Sequence, residues 1–589
     1  MISGKTWARV GVLTLAALAT LLAGCAGQVN MVPTLSEETV VQPNQGLMVA
    51  RVVNASGYPL PFNQLTLDPE NLNESTKIKP ERLSALTDQR NSSTVFAAPL
   101  KSGKYALSSI RAFHSNGNFW YSRFASTTAK FGTFEVSPGQ VTDLGTIIYY
   151  PKSQGDRYVN MLMRRPAAEP ADTLQRYFPF YDFDLDAVSG WDQDERDMER
   201  NTAYVSAARN PVTYNDKYLA PDGSLYFVGK LGIIIKRDPQ GDWQLDAVHT
   251  NIDLHTVAAS ERGDLVVAGE EGKVFVKPAG GEWQDRSIDH RNYIHQALFT
   301  DDNRVDLLTS RDSLLSVMRG SGDGDWQTVA SFRAGYGWYD ANNDITFSTA
   351  SDNSGKRAPS PRDIDVVSLK RVQGRNELFI RTLARYESHL FSNGRLETFL
   401  VEPETWRITG SGNTDEYSSV IDAGNTQLAI KEAGFWSWDG KPDFLRLNRE
   451  NNRWEEITTR IRSCPGDLQL QGSSCDAGNG REYRAEVESF SFSSTPWFKN
   501  SDEAIAIALF REKSAETGEY ERVPRIIETS DGGKHWSKTD RTLPARYCGT
   551  LIPDLKDHLL LTCKGGSSDF YESFDEGETW QHVRQHENF

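Results

Sequence analysis

Ser573-Phe574-Asp575-Glu576-Gly577-Glu578-Thr579-Trp580 is the stretch that decides the fold. It reads as a turn with its own chemistry. The Asp carboxylate accepts hydrogen bonds from turn amides, the Gly permits positive φ, and the Trp packs its ring into the adjoining sheet. Thr529-Ser530-Asp531-Gly532-Gly533-Lys534-His535-Trp536 repeats the pattern 44 residues earlier, with His535 replacing the Thr. Further upstream the Trp alone recurs. Trp243 and Trp283 are 40 apart, Trp283 and Trp326 are 43 apart, and Trp406 and Trp454 are 48 apart. The 80 residues from Trp326 to Trp406 hold two units, one without a Trp. The 82 from Trp454 to Trp536 hold one unit enlarged by an insertion around Cys464 and Cys475.

Each unit follows one grammar of strand, tight turn, strand, turn and Trp. Leu225-Tyr226-Phe227-Val228-Gly229 precedes Ile233-Ile234-Ile235-Lys236, and Leu265-Val266-Val267-Ala268-Gly269 precedes Lys273-Val274-Phe275-Val276. Later middle strands are expected at Val305 to Leu308, Ile345 to Ser348, His389 to Phe391, Leu428 to Lys431, Ala504 to Leu509 and Leu559 to Thr562. That gives eight units, with seven as the alternative count. A period of about 40–45 residues with several strands per repeat predicts a β-propeller. Ring closure buries faces that a lone four-stranded sheet leaves open. Upstream, short β-rich runs between Leu47 and Tyr150, separated by Ser102-Gly103 and Ser137-Pro138-Gly139-Gln140, predict a small β-sandwich. The expected class is therefore all-β: an N-terminal β-sandwich followed by a propeller of about eight blades.

Both eight-residue stretches match the Asp-box, and residues 203–589 resemble Asp-box (BNR-type) propellers. These include bacterial sialidases, sortilin-type receptors and photosystem II stability/assembly-factor-like proteins. The unit from His255-Thr256-Val257-Ala258-Ala259 through Gly269-Glu270-Glu271-Gly272-Lys273 to Trp283 is most similar to the assembly-factor group. The resemblance implies that Thr529, Asp531, Gly533, Trp536, Ser573, Asp575, Gly577, Thr579 and Trp580 are structural, with no catalytic part. A sialidase would also carry a Phe/Tyr-Arg-Ile-Pro signature. The nearest match, Glu521-Arg522-Val523-Pro524, lacks the aromatic and reads as a packed strand. Pro99-Leu100-Lys101-Ser102-Gly103-Lys104-Tyr105 and Phe134-Glu135-Val136-Ser137-Pro138-Gly139 are similar to small transthyretin-like or carboxypeptidase-regulatory-type sandwiches, which implies a spacer or adhesive module.

The N-terminus reads as an address. Lys5 and Arg9 precede an apolar run from Val10 to Leu22, shorter than the roughly 20 residues of a membrane span. The run ends in Leu22-Ala23-Gly24-Cys25, which resembles the lipobox of bacterial lipoproteins. That resemblance implies cleavage before Cys25, acylation of its thiol and amine, and an anchor of two or more chains. Ala26 in place of Asp implies the outer membrane, with the face undecided. The expected layout is signal peptide 1–24, tether 25–45, β-sandwich 46–150, acidic connector 151–202 and propeller 203–589. Asp182-x-Asp184-x-Asp186 in the connector opens like a calcium loop. Ala187 and Gln193 break that pattern, so it reads as a solvated linker.

The chain has 64 Lys+Arg against 80 Asp+Glu, a net charge of −16, which disfavours binding to nucleic acid. Cys464, Cys475, Cys548 and Cys563 suit an exported protein with two disulfides, and the local pairings are the most economical. No C-x-x-C pair supports zinc, and no H-E-x-x-H, G-x-S-x-G or phosphate-binding loop occurs. His582 and His586 read as solvated, and Gly434-Phe435-Trp436-Ser437-Trp438 as blade packing or a stacking surface. No cofactor is implied. The leading expectation is a lipid-anchored, non-catalytic protein that binds or helps assemble another envelope protein. The alternatives are an exo-glycosidase or other polysaccharide-active enzyme at the propeller mouth, and a glycan-binding module.

Overall fold

In the computed structural model the chain is an all-β protein built of several small antiparallel sheets in a propeller-like arrangement. The described residues run from 29 to 583, apart from 58–59, 71–78, 86–89, 116–119, 128–130, 155–156, 166–169, 185–186, 210–213, 249, 321–324, 349–362, 372–376, 386–393, 412–419, 432–442, 449–452, 465–468, 472–473, 477–480, 514–517, 546–547 and 564–569. Residues 1–28, which include Cys25, as well as His389 to Phe391, Gly434 to Trp438 and His586 lie outside the described residues. No helix among the described residues is long and apolar enough to cross a membrane.

Two sheets form the N-terminal unit. One is ordered Asn30–Pro33, Glu81–Ser84, Gln64–Glu70, Gly103–Ser115, Trp120–Ser126; the other is ordered Arg157–Arg165, Val141–Gln154, Gln45–Asn54, Ser93–Lys101. Strand alternation divides Gln45–Asn54 between two environments. Met48, Ala50 and Val52 join Phe62, Ile110 and Phe134 in the core between the sheets. Leu47 and Val49 turn outward onto Leu174 and Phe178 of the helical region that follows. The unit is larger than its sequence suggests. Asn30–Pro33, within the expected tether, pairs in parallel with Glu81–Ser84, and Leu35 is buried. Val32 supplies the apolar contact that holds this strand to the core. Helices Pro170–Tyr177 and Asp197–Arg209 occupy the connector, and the second runs past residue 202, packing Ala207 against Met163 and Leu231.

Seven further sheets of four or more strands are present among the described residues, within 214–247, 254–285, 293–348, 363–411, 420–456, 491–538 and 548–583. Ile345–Ser348, expected as the middle strand of a unit of its own, is instead the sixth strand of the third sheet. A hairpin turning at residues 334–336 puts Gly337 (φ 135°) at the start of the strand that Ile345–Ser348 pairs with. A Cβ there would sit 2.0 Å from the Phe347 carbonyl oxygen, so the glycine lets the chain fold back against its own sheet. Two smaller sheets within 460–489 carry the Cys464 insertion.

Apolar layers join successive sheets. Val228 and Ile234 meet Leu254 and Val267; Val266 and Val274 meet Ile294 and Leu307; Ile505 and Ile526 meet Leu551 and Leu559. The last sheet packs on the first, with Leu560 and Phe570 against Leu225, Phe227 and Ile235. Each such side chain contributes about 1.5–3 kcal/mol on full burial. Polar bonds reinforce this seam: Arg237 Nε donates to Glu572 Oε1 at 2.7 Å, and Trp243 Nε1 donates to the same oxygen at 3.1 Å.

Candidate functional site

The first strands of successive sheets lie side by side at 214–219, 254–259 and 293–299. Each carries a β-bulge at the same place. The register skips Asn215, His255 and His295, 40 residues apart. A bulge turns its extra residue out of the ladder and re-aims the side chain. Asn215 donates to the Leu254 carbonyl at 2.9 Å. The His255 ring lies 5.0 Å from Tyr293, and Tyr293 lies 4.9 Å from His295. His295 Nε2 is 2.6 Å from Ser310 Oγ, which also accepts from Arg90 of the N-terminal unit at 2.6 Å.

Beside this row stand two homologous turns between the second and third strands of their sheets, Gly229-Lys230-Leu231-Gly232 and Gly269-Glu270-Glu271-Gly272. Their third residues, Leu231 (φ 58°) and Glu271 (φ 55°), hold a left-handed conformation uncommon for side-chain-bearing residues. Both turns dock into the N-terminal unit. Leu231 packs among Val53, Ile148, Tyr150 and Met163. Glu270 accepts from the Ser92 amide at 2.6 Å and from Ser92 Oγ at 3.1 Å. Glu271 accepts from Arg51 at 2.7 Å, and from Ser93 and Tyr177 through short contacts, while Arg176 donates to its carbonyl at 2.6 Å. Lys230, almost wholly buried, pairs with buried Asp253.

The two acids have opposite electrostatics. Burial pushes the Glu270 carboxyl up, and the nearby charge of Asp253 adds to it. Burial also acts on Glu271, but the charge and hydrogen bonds of Arg51 with the Ser93 bond outweigh it and hold that carboxyl below its ordinary value. Burial, then the charges of Glu270 and Asp365, drives the Tyr293 phenol well above its usual range. With their oxygens bonded across the joint, Glu270 and Glu271 act as struts between two folded units. A cavity of about 350 Å³ opens beside them, lined by Tyr177, Phe178, Glu271, His290, Arg291 and Tyr293 among others.

The two turns singled out in the sequence lie at the opposite end of their sheets, between third and fourth strands. Gly577 and Gly533 amides donate to Ser573 and Thr529 hydroxyls at 2.7 and 3.0 Å. The backbone amides of Thr579 and His535 donate to Asp575 and Asp531, both at 2.9 Å. Trp536 is buried, and Trp580 packs against the layer between the last two sheets. A cavity of about 330 Å³ lies between these turns, bordered by Trp497, Lys499, Asp531, His535 and Glu576. Arg522 and Pro524 lie within the strand Tyr520–Thr529, paired with Arg511 and Leu509. Cys464 bonds Cys475, and Cys548 bonds Cys563 directly opposite it in the ladder.

No family model and no curated protein matches the chain. Among solved structures it is similar to YCF48 bound to D1 peptide, at 11% identity and a TM-score of 0.32, covering 61% of this chain and 91% of that one. It is also similar to a polysaccharide lyase of family PL25, an ulvan lyase, at 12% identity and a TM-score of 0.33, covering 64% and 92%. The WD40 β-propeller domain of Doa1 aligns at 14% identity and a TM-score of 0.25, covering 60% and 89%. At such identities the likeness concerns fold alone.

Sequence reasoning passed over Arg51, Arg90, Asp253, His255 and the role of Glu270–Glu271. One signal was present: polar residues at 215, 255 and 295 recur at a strict 40-residue interval within the first strands. The partners that dock the Glu270-Glu271 turn, Ser92 and Arg51, lie 178 and 220 residues upstream and carry no periodic mark.

Proposed function

We propose that the protein is a lipid-anchored, non-catalytic component of the bacterial envelope, held at the outer membrane through Cys25. On this reading its propeller, seven blades closed by two Asp-box turns, binds or helps assemble another envelope protein. The N-terminal unit acts as a sandwich-type spacer fixed onto one propeller face. One observation supports the non-catalytic reading most. Glu270 and Glu271, the acids beside the row of bulged residues, are buried and bonded to Ser92, Ser93 and Arg51. A general acid or nucleophile must reach its substrate, and these oxygens reach another part of their own chain.

The test is copurification from crosslinked membranes, which should return one envelope protein at stoichiometric yield. Turnover of a fluorogenic glycoside panel by the soluble form beginning at Ala26, abolished by substituting one carboxylate, would replace this reading with the polysaccharide-active one. Glycan binding is the second reading. It is favoured by the rings of Tyr177, Phe178 and Tyr293 around the 350 Å³ cavity, and retention on an oligosaccharide array without turnover would select it.

A further inference from the structure

Asp253, His255 and Glu270 bring one ligand atom each to within 4.8 Å of one another. Asp253 stands immediately before the first strand of the second sheet, His255 is its bulged residue, and Glu270 comes from the docked turn. Asp253 and Glu270 are fully buried. Asp253 Oδ1 is buried and lacks a hydrogen-bond partner among the described residues, while His255 Nε2, also buried, faces Glu270 Oε1 at 3.4 Å. Lys230 occupies the other Asp253 oxygen, so two carboxylates share one ammonium. Glu271 and Asp365 have cations of their own, Arg51 at 2.7 Å and Arg90 at 3.9 Å. A buried carboxylate oxygen with no donor is costly, and the protein keeps one, Asp253 Oδ1, within this cluster.

We propose that Asp253, His255 and Glu270 form a structural site for a first-row divalent cation, with Zn2+ the best fit, at the joint between the N-terminal unit and the propeller. The donor set is one imidazole nitrogen and two carboxylate oxygens. Four-coordinate zinc takes such ligands at about 2.0–2.2 Å, which places neighbouring donors roughly 3.4 Å apart. His255 Nε2 and Glu270 Oε1 are already 3.4 Å apart. Ca2+ needs about six to eight oxygens, more than these residues supply. Ser92, donating twice to Glu270, fixes the orientation of that ligand from the other folded unit, as outer partners of metal ligands do. Lys230 remains on Asp253 Oδ2 while Oδ1 turns to the metal, and water completes the shell.

The test uses the full chain from Ala26, stripped with a chelator and titrated calorimetrically with ZnCl2, with CaCl2 and MgCl2 as comparisons. One Zn2+ per chain is expected, with a rise in melting temperature and no response to Ca2+ or Mg2+. His255→Ala and Glu270→Gln should each weaken binding at least about tenfold, since even the outer partners of ligands are worth about 10–100-fold. His582→Ala, on the outer strand of the last sheet, should bind as the unmodified protein does. Absence of stoichiometric Zn2+ binding overturns the proposal, and so does binding that both cluster variants leave intact. Should both variants fail to fold, the visible spectrum of the Co2+-loaded unmodified protein decides. Four-coordinate bands support the site, and an aquo-ion spectrum defeats it.

Discussion

Glu270 and Glu271 are consecutive residues of one turn, yet acidification affects them in opposite senses. Glu271 titrates below its ordinary value in the folded state. It therefore contributes stability that is complete above the unfolded value, near 4.5, and is lost as the pH falls through the lower folded value. Glu270 titrates above its ordinary value, so its contribution is complete below about 4.5 and is lost as the pH rises through the raised one. In chelator-treated protein at neutral pH, Glu270→Gln should melt at or above the unmodified temperature. Glu271→Ala strands Arg51 in the joint and should cost about 3–5 kcal/mol. Thermal melts of both variants between pH 4 and 8 check this, and equal losses in the two would refute the assignment. Their acidic character was visible in the sequence. Their opposite behaviour was not, because it depends on Arg51, which lies 220 positions away and meets Glu271 only after folding.

At the scale of elements, the two Asp-containing turns share hydrogen bonds but differ in their surroundings. Gly533 (φ 87°) would place a Cβ 2.8 Å from Ile457 Cγ2, whereas Gly577 (φ 91°) meets nothing nearer than 3.5 Å. Both positions resist a side chain by conformation, at about 1 kcal/mol or more. Gly533→Ala should therefore lower the melting temperature further than Gly577→Ala, because only the first must also displace a neighbouring sheet. The disulfides provide a second comparison. Cys548–Cys563 crosslinks the first two strands of the last sheet, whose other faces meet the first sheet. Cys464–Cys475 staples an insertion between small sheets. Either contributes on the order of 2–3 kcal/mol by loop entropy. Cys548→Ser is expected to destabilise the fold more than Cys464→Ser, as differential scanning calorimetry would show. These turns and pairings were legible because each is set by residues within about 15 positions. The unit count was less so. Ile345–Ser348 has the same apolar look as a middle strand, and its pairing with Gly337–Asp340 attaches it to the preceding sheet.

Across the whole molecule, the Trp spacing foretold a ring of similar sheets, and the layer from Phe570 to Phe227 joins its ends. The attachment of the N-terminal unit carried no such forecast. It rests on single residues such as Arg51, Arg90 and Ser92, each in a stretch that reads as an ordinary strand or loop. The proposed anchor predicts that Cys25→Ala gives a soluble or unprocessed protein. Fractionation of that variant with outer membrane after a high-salt wash would show that something other than a lipid holds it. With that proposed anchor, the pairing of Asn30–Pro33 with Glu81–Ser84 acquires a mechanical meaning. The strand Asn30–Pro33 starts five residues after Cys25, so at most about 18 Å of chain can separate the two. The propeller then cannot roam the envelope on a long string. It rides at a fixed altitude above the lipid, and a partner must present its binding surface at that same height.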